Sequence, residues 1–134
     1  MPDAISEPMG CYCLGLLWNR GNEVGDATDP VTKRTIEFKA TSRFSGDLSS
    51  FGPKTTFDNL VYLRFNLDKN QLYIYDLNIN SQDFGKYPAN KSETIQQQKD
   101  QGRRPLQKLF VDAQGLKPDI IFDIRRCKII NNND

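Results

Sequence analysis

Residues 34–41 (RTIEFKAT) constrain the chain more than any other stretch, because apolar and polar side chains alternate along them. Ile36, Phe38 and Ala40 point one way, and Thr35, Glu37, Lys39 and Thr41 the other, which predicts a strand with one core face. Residues 23–28 can pair with it. Between the two lies Asp29-Pro30-Val31-Thr32-Lys33. Proline presets φ at the second turn position, and aspartate at the first can hydrogen-bond the turn backbone. If residues 30–33 form the loop, Asp29 pairs with Arg34 and Asp26 falls opposite Glu37. Opposed Cβ atoms in an antiparallel pair lie roughly 4.5–5.5 Å apart. Two carboxylates at that spacing can share one hard cation, which takes oxygen ligands. Lys39 leaves the same face two residues on, so two acids and a base surround one point.

The rest of the composition narrows what such a cluster can do. The 134 residues contain no histidine. Ser-His-Asp and Cys-His nucleophile machinery within the chain is excluded, and so are His-ligated zinc sites. Hydrolytic chemistry would have to use carboxylates, lysine and a hard metal ion. Hydrophobic residues make up 37% and charged residues 26%, a globular balance suited to a single domain over 1–134. The net charge of +1 neither supports nor opposes nucleic-acid binding, since metal-binding acids cancel basic residues elsewhere. Cys11, Cys13 and Cys127 do not make a disulfide framework. No apolar run is long enough to span a bilayer and no signal-like start is present, so the expectation is a cytoplasmic protein with no membrane role.

Further elements follow from local pattern. Residues 1–9 hold two prolines and little periodicity, and read as an irregular arm. Residues 10–19 are apolar and fit a short helix or a buried strand. Residues 42–58, rich in Ser, Gly, Pro and Thr, read as a long loop. Residues 60–67 and 72–79 form a predicted hairpin across Asp68-Lys69-Asn70. A helix is expected from Ser92 to about Gln98, and a second from Pro105 to about Ala113, since proline suits a first helical turn. Strands are expected at 119–124 and onward to Ile130, ahead of a polar tail at 131–134.

The run Gly25-Asp26, ten residues, then Glu37-Phe38-Lys39 resembles the motif of the PD-(D/E)xK nuclease superfamily. Ala40-Thr41-Ser42-Arg43, Ser50-Phe51-Gly52-Pro53 and residues 96–105 (QQQKDQGRRP) resemble segments of its small type II restriction endonucleases. That resemblance implies an α/β restriction-endonuclease-like core, with a central mixed sheet of about five strands flanked by helices. It implies a bacterial endonuclease that cuts double-stranded DNA with Mg²⁺, for which Mn²⁺ can substitute. Asp26 and Glu37 would be the metal carboxylates, the main-chain carbonyl of Phe38 a third ligand, and Lys39 the catalytic lysine. Cutting both strands of a palindromic site calls for two active sites, hence a homodimer. Gly25 stands where the motif usually has proline. The family also places a helix with an acidic residue ahead of the first motif strand. Here the preceding acids are Asp3, Glu7 and Glu23, with Glu7 a poor candidate on sequence distance.

DNA contacts are expected from Gln97, Arg103, Arg104 and Lys108 around the late helices, and from Ser42, Arg43 and Lys54 after the motif strand. Arginine and glutamine suit both base edges and phosphates. Tyr62, Tyr73 and Tyr75 read as sheet packing rather than base-stacking platforms. The competing readings are a plain solvent-exposed strand face with surface ion pairs, a non-catalytic DNA-binding module of the same fold, a nuclease selective for branched or repair structures, and a β-rich interaction domain.

Overall fold

The computed structural model describes residues 3–19, 25–41, 48–50, 56–85, 103–105, 111–112 and 114–130. The elements are α1 (Asp3–Leu14), β1 (Leu17–Trp18), β2 (Ala27–Thr28), β3 (Thr35–Thr41), β4 (Leu48–Ser50), β5 (Asn59–Asn66), β6 (Gln71–Asp76), α2 (Ser81–Gly85), β7 (Arg103–Pro105), β8 (Ile120–Asp123) and β9 (Lys128–Ile130). Seven strands form one sheet in the order β1-β2-β3-β5-β6-β8-β9, and β4 pairs with β7 in a separate ribbon. Only the β3–β5 pairing of the large sheet is parallel. The mixed α/β character matches the expectation. The sheet has seven strands rather than about five, because two-residue β1 extends one edge and β9 the other.

Strand β5 is buried along its whole length, so both of its faces are covered. Val61, Leu63 and Phe65 face one way and pack with Ile36, Phe38, Leu72, Ile74 and Phe122. Leu60 and Tyr62 face the other way and pack with Phe57, Tyr75, Phe84 and Val111. Burying a side chain of this size contributes about 1.5–3 kcal/mol, so the two layers hold β5 at the centre and fix the register of β3 beside it. The tyrosines are sheet packing, as expected. Tyr62 and Tyr75 stack at 5.8 Å and both are buried.

Three local expectations need correction. Residues 3–9 are not an irregular arm, because they form the first half of α1, which runs through Pro8. An interior proline costs a helix about 3 kcal/mol. Here Met9, Cys11, Cys13 and Leu14 pack against the first core layer and offset that cost. Gly10 brings the helix close: a Cβ there would lie 2.9 Å from Phe38 Cε1. The 42–58 segment is not only loop, since β4 lies within it. Pro105 does not begin a helix; it ends β7, opposite Leu48. A strand end tolerates proline's missing N–H. The expected helix at 92–98 and the polar tail at 131–134 lie outside the described residues. No helix among the described residues is long and apolar enough to cross a membrane.

Candidate active site

The hairpin that carries the acids forms as its turn chemistry dictates. The Asp29 carboxylate accepts the N–H groups of Val31 (2.8 Å) and Thr32 (3.2 Å). The Asp29 amide donates to Arg34 O (3.0 Å) and the Lys33 amide to Asp29 O (2.8 Å). Thr28 then pairs with Thr35 and Ala27 with Ile36. One step further, the ladder bends. The Asp26 amide donates to Ile36 O at 2.9 Å, while the Asp26 carboxylate accepts the Phe38 amide at 2.8 Å. Gly25 makes this bend possible with φ +79°, and a Cβ there would lie 3.2 Å from Ile36 O. Proline, with φ locked near −65°, cannot adopt that conformation, which explains why glycine stands in the motif's proline position.

The structure brings Asp26, Glu37 and Lys39 together. The Glu37 carboxyl lies within hydrogen-bonding reach of the Asp26 carboxyl. Lys39 Nζ is 3.6 Å from Glu37 Oε1, with the two side chains 21% and 13% exposed. Burial, then the negative charge of Asp26, raise the Glu37 carboxyl to about 7, and Lys39 pulls the other way. This is not a plain solvent face: two acids share a half-buried space at an electrostatic cost, a common sign of a functional site. Among the described residues no third Cys, Asp or Glu side chain joins the pair in a metal-holding group. Phe38 supplies backbone between them, its side chain in the first core layer.

Glu7 is a poor candidate on sequence distance, yet the structure sets it near the hairpin. It sits on α1, where Trp18 Nε1 donates to Glu7 Oε1 at 3.1 Å. The Cys11 thiol is raised to about 11 by burial, then by the charges of Glu7 and Asp26, so both acids act on one thiol. A helix that carries an acid therefore precedes the hairpin. Its sequence signal was the helical spacing of Ser6, Met9, Gly10 and Cys13, obscured by Pro8 and by how few of these are large and apolar.

Of the expected DNA contacts, Arg103 and Arg104 lie in β7, paired with Ser50 and Ser49 of β4 rather than between two helices. The ribbon lies against β3. Ser42, Arg43, Lys54, Gln97 and Lys108 fall outside the described residues.

A mixed sheet that gathers two carboxylates and a lysine on one strand hairpin defines a candidate hydrolytic centre of the nuclease type. The model of the Bsp6I restriction endonuclease family matches residues 1–113, which include α1, the hairpin and all of β3, β5 and β6. The chain is 41% identical over 132 residues to the type II restriction enzyme Bsp6I of Bacillus sp. (strain RFL6), covering 96% of this chain and 75% of that protein. No solved structure matches it. The chain belongs to the Bsp6I restriction endonuclease family, and is thus an enzyme of the nuclease class.

Proposed function

We propose that this protein is an intracellular bacterial endonuclease of a restriction-modification system, which hydrolyses double-stranded DNA at a specific site with Mg²⁺ as cofactor and acts as a homodimer. One observation carries the reading: the Asp26 and Glu37 carboxyls meet beside the Lys39 ammonium in a member of a restriction endonuclease family. The relative's name, a type II restriction enzyme, supports site-specific cutting of DNA.

The donor set fits a hard divalent cation. Asp26 and Glu37 offer carboxylate oxygens that a cation would hold together, and the Phe38 main-chain carbonyl between Glu37 and Lys39 would be a third oxygen ligand. When bound, Mg²⁺ or a substituting Mn²⁺ neutralises charge on the scissile phosphate and lowers the pKa of the attacking water. The chain's own groups do the rest. The Phe38 amide fixes Asp26, so this acid need not reorganise when substrate arrives. Lys39, held beside Glu37, orients the water, takes its proton or stabilises developing charge. In-line attack leaves 5′-phosphate and 3′-hydroxyl ends. Glu7, clamped by Trp18, is the acid that the motif expects on the upstream helix. The non-catalytic reading loses its main argument with α1 in that place. Arg103 and Arg104, in the ribbon beside β3, are proposed DNA contacts, with Ser42, Arg43, Lys54, Gln97 and Lys108 as further ones.

The test is digestion of phage DNA with and without Mg²⁺, beside Glu37→Ala. Discrete fragments that need Mg²⁺ and vanish in the variant are expected. A smear, or identical cutting by the variant, contradicts the assignment.

A further inference from the structure

Beyond the acid pair, the catalytic face of β3 runs into a second feature. A cleft of about 340 Å³ opens at the start of this strand, lined by Thr35, Asp58, Asn80, Ser81 and Gln82, with Phe57 also on its wall. That volume falls within the usual range for small-ligand sites. Thr35 shares the polar face of β3 with Glu37 two residues later, roughly 7 Å along the strand. Each DNA strand advances about 3.4 Å per nucleotide along the helix axis. A strand whose scissile phosphate sits at Glu37 and which runs along β3 towards Thr35 would place its next one or two nucleotides over this cleft.

The lining chemistry suits a base rather than a phosphate. Among the described residues the cleft carries a carboxylate, two carboxamides and three hydroxyls (Thr56 supplies the third), and no lysine or arginine. An anion gains little there. A nucleobase edge, which mixes donors and acceptors, is matched: carboxamides pair with adenine, and a carboxylate accepts from the cytosine amino group. The walls are also pre-set. Asp58 Oδ2 accepts from the Thr35 amide (2.9 Å) and hydroxyl (3.2 Å), tying the β5 approach to β3. Asn80 Oδ1 accepts the Asp83 amide at 2.8 Å, leaving its NH₂ group as a donor. Gln82 is exposed.

We propose that this cleft takes the nucleotide flanking the cut and that Gln82 and Asn80 read the edge of its amino-bearing base, adenine or cytosine. The proposal rests on the nuclease reading above and adds a specificity subsite to it. Gln82→Ala and Asn80→Ser test it, the serine keeping a helix-capping oxygen. Fragment ends are sequenced to map the sites, and cleavage rates and binding to non-specific DNA are measured against wild type. The expected result is an unchanged melting temperature and unchanged non-specific binding. Cutting at the wild-type site should fall about 5- to 150-fold, as for one lost bidentate base contact, and new sites altered at one flanking position should be admitted. Wild-type rates and fragment ends in both variants overturn the proposal, as does an equal loss on every sequence, which marks a phosphate or structural role. If wild-type protein does not cut, the nuclease reading itself fails and takes the subsite with it.

Discussion

The Asp26 carboxylate accepts the backbone N–H of Phe38 at 2.8 Å, so the first acid of the site is anchored to the strand that carries the second. Asparagine can accept the same bond without the charge. Asp26→Asn should therefore fold with near wild-type stability but lose cleavage. Asp26→Ala should lose both, with unfolding free energy lower by about 1.5–3 kcal/mol, the usual worth of a hydrogen bond to a charged group. Urea melts of the two variants check this, and equal stability would contradict the anchoring role.

The raised Glu37 value gives a pH signature. Its folded-state carboxyl titrates at about 7, above the ordinary 4.5. The folded protein thus holds this proton more tightly than the unfolded chain. The resulting stability is complete below about pH 4.5 and is lost as pH rises through 7. In metal-free protein, Glu37→Gln should melt with wild type near pH 4.5 and progressively above it towards pH 8. A variant that melts below wild type at pH 8 would count against the crowded acid pair.

Lys39→Ala should lower the cleavage rate by about 10²–10⁴-fold, the usual span for a positioned acid–base group, with little change in DNA affinity measured in Ca²⁺. Loss of affinity without loss of rate would reassign Lys39 to phosphate binding.

Gly25, at φ +79°, has no tolerant replacement. Gly25→Ala should cost about 1–2 kcal/mol from the left-handed backbone alone, and Gly25→Pro should abolish activity although it restores the motif's usual letter. Active Gly25→Pro protein would mean that the hairpin bend is not as described.

The cysteines should separate by reactivity. Burial raises Cys11 and Cys13 to about 11, whereas Cys127 is exposed. Since the thiolate is the reactive form, brief alkylation at pH 8 should modify Cys127 alone and leave cleavage intact. Mass spectrometry of the digest reads the outcome.

What could be read from residues alone was local. The acid pair and its lysine were legible because Asp29-Pro30 specifies the turn and residues 35–41 alternate strictly, so counting back from the turn placed Asp26 by Glu37. The β5–β6 hairpin was legible for the same reason. Helix α1 was not, because its packed side uses Gly10 and Cys11, with Ser6 also buried, and Pro8 breaks the pattern. Strands β1, β4 and β7 have two or three residues each, too few to display a period. The parallel pairing of β3 with β5 joins segments separated by a long connection, and no local propensity encodes it. The cleft by Thr35 depends on that pairing, since it brings Asp58 and residues 80–82 to the start of β3.

The central claim is that Asp26 and Glu37 form the metal site. Binding of Mn²⁺, followed by electron paramagnetic resonance at pH 8 without DNA, tests it most directly. The account predicts that folded wild-type protein binds Mn²⁺, that Mg²⁺ competes, and that Asp26→Asn and Glu37→Gln each remove the binding while keeping the fold. Undiminished Mn²⁺ binding in both variants, or none in wild type, would contradict it.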